Sequence, residues 1–429
     1  MSVVTEQTRL DDVQRAARDV WRRESARLVG ALTRLTRDVG VAEDLAQDAL
    51  VAALEQWPSC GVPDKPAAWL MVVAKRRAID HFRRAERLRR KVSELEGALG
   101  EQASSSVEAQ FDYVDDDALR LIFLSCHPTL TPESRAALTL RLVGGLSTAE
   151  IARGFFVNEP TMGQRISRAK KKLAAENATF EIPEGSERIK RLEDVMAVIY
   201  LIFNEGYTAT AGDDWMRPDL ANEAIRLARM LATLEPNEPE VLGLLALLEI
   251  QGSRMPARVD KDGTPVLLEA QNRTLWDGLQ IRRGMGALEK ADRLAAGGAP
   301  IGKYFLQAAI AAQHARAVRA EETDWRKIAE LYDVLRRAAP GPIVEVNRAV
   351  AHGRAYGPEA GFAVLEQVDA DSFGDSPLFP SVAGDLFERA GMHVRASEAF
   401  SEAASRTKNV GERGLLQDRA MRNRPPGTD

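Results

Sequence analysis

The stretch "LSTAEIARGFFVNEPTMGQRISRAKKKL", residues 146–173, decides how this chain is read. Ser147 followed by Glu150 has the spacing of a capping box, in which each side chain satisfies a free backbone N–H at a helix start. A short helix over 147–154, a turn, and a second helix over 160–173 follow from that start. The second helix ends in "TMGQRISRAKKKL", which carries five basic side chains and no acidic one, in a chain whose formal net charge is −5. A concentrated positive face on an acidic protein reads as contact with a polyanion.

Charge is unevenly placed along the rest of the chain. Residues 1–180 carry a net +2 and residues 181–429 a net −7. "KRRAIDHFRRAERLRRK", 75–91, has nine basic and two acidic residues, whereas 93–117 has eight acidic residues and none basic. The first block reads as a second polyanion contact and the Ser-rich second as a solvated linker. With 429 residues, 45% hydrophobic and 28% charged, the chain can bury more than one core. It has no apolar run of about 18 residues, and its start lacks a signal-peptide layout, so a cytoplasmic protein without a membrane segment is expected. Two cysteines, Cys60 and Cys126, outside any Cys/His ligand spacing, predict neither disulfide nor structural zinc.

Nearly all of the chain has helical periodicity. Val13, Ala17, Val20, Leu28, Leu32 and Leu35 form an apolar stripe up to Arg37, and "VAEDLAQDALVAALEQW" forms another after an interruption at Gly40. "WPSCGVPDKP", 57–66, contains three prolines and a glycine and predicts a loop, with a helix starting near Ala67 and running into the basic block. Trp69, Val72 and Val73 are its expected core set. Thr131 before Pro132 predicts a further helix start. The pattern at 147–173 resembles a helix-turn-helix, which lays its second helix in the DNA major groove.

Beyond residue 186 the pattern is of helical hairpins. "AGDLFERAGMHVRASEAFSEAASR" places Gly384, Gly391, Ala396, Phe400 and Ala403 at the packing offsets of a tetratricopeptide repeat. Pro239, Pro342 and Pro377 are each expected to open a helix. "RVDKDGTPVLLEAQNRTLWD" breaks the period and reads as a loop or insertion. Tyr207, Asp213, Asp214, Trp215 and Trp276 fall in aromatic-acidic strings that either line a partner surface or serve packing and capping. The expected fold is all-α: a domain over 1–92, an acidic linker over 93–117, a helix-turn-helix domain over 118–178 and a repeat-like domain over 186–424.

In order, "AEDLAQDAL", "PAAWLMVVAKRRAIDHFRR" and "LSTAEIARGFFVNEPTMGQRISRAKKKL" are similar to three segments of the extracytoplasmic-function sigma factors of the sigma-70 family. The later strings "VIYLIFNEGY", "LLALLEIQGSR" and "GKYFLQAAIAAQHA" resemble the group of these factors with a C-terminal helical extension. The resemblance implies region 2 and region 4 domains, core RNA polymerase and promoter DNA as partners, and a genomic link to small DGPF-motif proteins related to the YCII family. It also implies that Glu43, Asp44, Gln47 and Asp48 offer a polar strip to the polymerase. Loop 57–66 and the helix behind it, with Arg76, Arg77, Asp80, His81, Arg83 and Arg84, would hold the minus-ten element. Arg76 stands where Asn is common and Phe156 where Gly is common, which points to an altered base preference and a turn held by apolar packing.

Within the helix at 160–173, early residues face base edges and later ones phosphates. Thr161, Gln164 and Arg165 are therefore expected to read bases, and Arg168, Lys170, Lys171 and Lys172 to neutralise the backbone. The acidic residues 181–429 are expected to contact the basic domains within the chain and to control activity. No catalytic motif is present: the five histidines are scattered, and there is no phosphate-binding glycine loop or nucleophile elbow. No cofactor or metal is expected. The rival readings are a one-component regulator that binds operator DNA without polymerase, and a helical scaffold carrying a basic domain.

Overall fold

The computed structural model of the chain describes residues 2–96, 115–155, 157–208, 216–261 and 263–424. Among them the chain is all-α, with no strand and a single isolated bridge between Val259 and Pro265. Two compact units divide it at Val198 and Ile199.

The first unit contains α1 (Ser2–Thr36), α2 (Val39–Cys60), α3 (Pro66–Glu96), α4 (Asp115–Ser125), α5 (Pro132–Leu142), α6 (Thr148–Gly154) and α7 (Glu159–Ala175). The break before α2 lies one turn earlier than Gly40 suggests. Arg37 takes a left-handed φ of 55°, and Asp38 caps α2 by accepting from the N–H groups of Gly40 and Val41 at 2.7 and 3.1 Å. Gly40 is thus an ordinary first-turn residue.

The expected loop 57–66 shortens to 61–65. Helix α2 continues through Pro58 to Cys60, because a proline in the last turn costs one hydrogen bond while Gly61, at φ 84°, supplies the stop. Helix α3 starts on Pro66 and runs to Glu96, and α4 starts at Asp115. The predicted linker 93–117 therefore loses both ends to helix, and its remainder lies outside the described residues.

Region by region, caps specify the turns as expected. Thr131 caps α5 with Pro132 at the first helical position, and the Ser147–Glu150 capping box opens α6. Asn158 caps α7 through the Thr161 N–H at 2.8 Å. Phe156 lies outside the described residues. Met162, Ile166, Ala169 and Leu173 form the buried stripe of α7, which packs against α5 and α6.

The remaining helices are α8 (Gly185–Tyr207), α9 (Pro218–Leu234), α10 (Pro239–Gly252), α11 (Gly278–Ala296), α12 (Lys303–Arg316), α13 (Trp325–Ala338), α14 (Pro342–Tyr356), α15 (Pro358–Leu365), α16 (Leu378–Arg389), α17 (His393–Arg406) and α18 (Val410–Arg422). From α9 to α18 each helix packs on the next. In α16 and α17 the repeat-like residues behave as expected: Ala396, Phe400 and Ala403 are buried, and a Cβ on Gly384 would meet the Phe400 ring at 2.7 Å. Pro239 and Pro342 occupy first-turn positions and Pro377 precedes α16. Residues 253–277 form the irregular insertion, with short turns of 3-10 helix and its base closed by the Asp277 N–H on the Ser253 carbonyl.

Candidate nucleic-acid interface

Helix α7 buries one apolar stripe and exposes most of its polar residues. Its buried stripe leaves Thr161, Gln164, Arg168, Lys171 and Lys172 exposed and Arg165 and Lys170 half-buried. Lys172 nevertheless donates to the Thr129 carbonyl.

Helix α3 likewise turns Leu70, Ala74 and Ala78 inward and leaves Arg76, Asp80, His81, Arg83 and Arg84 exposed. The expected apolar set on this helix is not the one observed: Val72 is 48% exposed, and Trp69 is only half-buried. Trp69 instead meets the fully buried Trp57 edge to face, with ring centroids 5.5 Å apart. Trp57, the first residue of the expected loop and the last of the helical stripe, lies inside α2 and is buried.

The polar strip on α2 is split. Asp44 and Asp48 are exposed and Gln47 half-buried, but Glu43 is 2% exposed, which corrects its expected place on an open surface. Glu43 Oε1 accepts from Arg141 Nε at 2.6 Å and from Gln47 Nε2, while Oε2 pairs with Lys170. Arg141 in turn donates to the Leu146 carbonyl at 3.1 Å, ahead of the capping box of α6. One carboxylate from α2 is therefore held by a guanidinium from α5 and an ammonium from α7. Arg77 of the expected minus-ten set pairs with Asp48 at 3.1 Å. So two residues of the expected DNA set, Lys170 and Arg77, are engaged by two residues of the expected polymerase strip.

Further links join α1 to the helix-turn-helix. Trp21 Nε1 donates to the Gly145 carbonyl at 3.0 Å, and Arg22 pairs with Glu150 at 3.0 Å. Burial works against the Glu150 carboxylate, but bonds from Ser147 and Arg22 outweigh it and hold its pKa below the usual range. Asp117, buried on α4, pairs with Arg34 of α1 at 3.2 Å and Arg120 at 3.0 Å. A Cβ on Gly30 would meet the Asp117 carbonyl oxygen at 2.6 Å, so the α1–α4 crossing needs glycine there. Arg141 and Asp117 carry no local signal of these roles in the sequence, because their partners Glu43 and Arg34 lie in distant segments.

In the second unit Tyr207 and Trp276 are buried, so packing accounts for them at least in part. Asp213, Asp214 and Trp215 lie outside the described residues. No helix among the described residues is long and apolar enough to cross a membrane.

Comparison with known proteins places these features in a family. Residues 20–88 match sigma-70 region 2, residues 120–173 match sigma-70 region 4, and residues 191–292 match DUF6596, a family of unknown function. The chain belongs to the extracytoplasmic-function sigma factors of the sigma-70 family and carries a helical C-terminal extension. Among its relatives is the uncharacterized protein R00370 of Rhizobium meliloti (strain 1021), 41% identical over 394 residues, 91% of each chain. The ECF RNA polymerase sigma factor SigK of Mycobacterium sp. (strain KMS) is 30% identical over 167 residues, 36% of this chain and 81% of its own. The probable ECF RNA polymerase sigma factor SigI of Mycobacterium tuberculosis (strain CDC 1551 / Oshkosh) is 29% identical over 170 residues, 39% of this chain and 58% of its own. No solved structure matches.

Proposed function

We propose that this chain directs bacterial core RNA polymerase to promoters as a non-enzymatic cytoplasmic subunit. The observation that carries the reading is the pair of basic helix faces, on α3 and α7, with Asp44 and Asp48 exposed on α2 beside the first. Asp44, Gln47, Asp48 and Glu43 contact the polymerase. Arg76, Asp80, His81, Arg83 and Arg84, joined by Arg77 once Asp48 lets it go, bind the opened minus-ten element. Thr161, Gln164 and Arg165 read minus-thirty-five bases, and Arg168, Lys170, Lys171 and Lys172 bind its phosphates.

Glu43 and Lys170 cannot serve polymerase and DNA while they hold each other. The described arrangement is therefore a closed form that opens when core polymerase competes for the α2 strip. The acidic C-terminal extension sets how readily this happens, through contacts of its own with the basic helices, and the DGPF-motif proteins related to the YCII family are its candidate partners.

Transcription in vitro with purified core polymerase and a promoter-fragment library tests the role. Initiation should depend on the protein and fall at least tenfold for Asp44→Lys, which reverses an exposed charge on the strip. Tight operator binding with no polymerase-dependent initiation would instead identify a one-component regulator. The same assay on a chain ending at Val198 tests the extension. That endpoint keeps the Arg135–Asp194 ion pair, at 2.8 Å, and the Arg191 bond to the Phe123 carbonyl. Activity equal to the full chain would remove the extension from the mechanism.

A further inference from the structure

The last turn of α4 and the loop after it, residues 123–131, offer their carbonyls to cations from three other helices. Arg135 of α5 reaches back over the loop. Its Nε donates to the carbonyls of His127 and Leu130 at 3.1 and 3.0 Å, and its Nη2 to that of Pro128 at 3.0 Å. The remaining nitrogen, Nη1, donates to Asp194 of α8 at 2.8 Å. Arg191, three residues before Asp194, donates to the Phe123 carbonyl at 2.6 Å. From α7, Lys172 donates to the Thr129 carbonyl.

The origin of these groups is informative. The region 4 match ends at residue 173 and the DUF6596 match begins at 191, so Arg191 and Asp194 open the matched part of the extension. Both nevertheless bond to region 4, inside the compact unit that runs to Val198. The Arg135 and Asp194 side chains are 14% and 33% exposed, so water screens their attraction less than at an open surface. Asp194 supplies the charge that the loop carbonyls lack.

Lys172 is held differently from Lys170. An ion pair with Glu43 takes up the charge of Lys170, whereas a neutral carbonyl anchors the Lys172 ammonium and leaves its charge uncancelled. An ammonium has three N–H donors, so the bond to Thr129 leaves two for phosphate oxygens. A side chain already anchored also loses less rotamer freedom when it binds. Lys172 is both placed and available.

We propose that Arg135 and Asp194 are positioning residues for promoter binding: together they fix the loop whose Thr129 carbonyl holds Lys172 in place for a backbone phosphate. This rests on the reading of α7 as the minus-thirty-five helix. It gives the first residues of the extension a task within region 4, separate from any control of the polymerase strip.

A double-mutant cycle tests it on the full chain, bound to core polymerase and titrated with a promoter duplex from the fragment library. Lys172→Ala should weaken binding about fivefold and lower the salt slope by about 0.9. Arg135→Gln should weaken it about threefold when Lys172 is present and less than about 1.5-fold when Lys172 is already alanine, because nothing is then left to position. Asp194→Ala should cost about twofold with the same dependence on Lys172, and Asp194→Glu should restore most of that loss. A general loss of folded protein would instead weaken every background alike. If Arg135→Gln fails to fold, Asp194→Ala, at a partly exposed position, completes the cycle. Losses that add across the Lys172 background would overturn the proposal and leave the reading of α7 intact. No binding of the duplex, or binding unaffected by Lys172→Ala, would overturn both.

Discussion

The two units share one way of burying charge and differ in another. In the first, buried carboxylates are answered by cations: Glu43 by Arg141 and Lys170, Asp117 by Arg34 and Arg120. The second does the same, Glu249 with Arg229 and Glu223 with Arg226, each at 2.7 Å, but it also rests the guanidiniums of Arg254 and Arg273 against Trp276, each with a buried Nε that has no hydrogen-bond partner. A compensated buried charge fixes one arrangement of distant segments, since Glu43 and Arg141 are 98 residues apart.

The comparison predicts unequal costs of mutation. Glu43→Gln leaves Arg141 and Lys170 partly buried side by side without their anion, and should cost about 3–5 kcal/mol in denaturant melts of the full chain. Arg254→Met, which removes a buried cation of similar length, should fall within about 1 kcal/mol of neutral in the same melts. Equal losses at the two positions would break the comparison.

Acid should act on the second unit through His314. Its pKa is lowered from 6.5 to about 3, first by burial and then by Arg254, Arg273 and Arg354. In the unfolded chain the ring takes a proton below about 6.5, and in the folded chain only near 3, so stability contributed by the neutral ring is whole above 6.5 and is lost as pH falls. Between pH 6 and 4 the loss should approach about 1.4 kcal/mol per pH unit. His314→Gln, which cannot take the proton, should show a pH slope shallower by that amount. An unchanged slope would mean that the ring is solvated in the folded protein.

What could be read in advance followed range. Short-range signals were legible: the Ser147–Glu150 box, Thr131 before Pro132, and the small residues of α16 and α17 need only neighbours within a few positions. Gly40 and Pro58 misled because glycine and proline are permitted in the first and last turns of a helix, and the real punctuation was Arg37–Asp38 and Gly61. The basic faces of α3 and α7 were legible from composition and period. The fate of Glu43 was not, because an exposed-looking "AEDLAQDAL" strip loses one carboxylate only when residues 141 and 170 fold against it. The surroundings of Trp276 were half-legible: the segment broke the repeat period, but its leftover hydrogen bonds exist only in three dimensions.

The finest test of the closed form compares two cations on one helix. Arg168 is exposed, whereas Lys170 pairs with Glu43. If the free protein binds duplex DNA while closed, Lys170 releases no counterions. Arg168→Ala should then lower the slope of log affinity against log salt by about 0.9, and Lys170→Ala should leave it nearly unchanged. If core polymerase takes up the α2 strip as proposed, adding it should bring the Lys170→Ala effect up to that of Arg168→Ala. Equal effects without polymerase would mean that DNA alone pulls Lys170 from Glu43, and the closed form would then be no barrier to promoter binding.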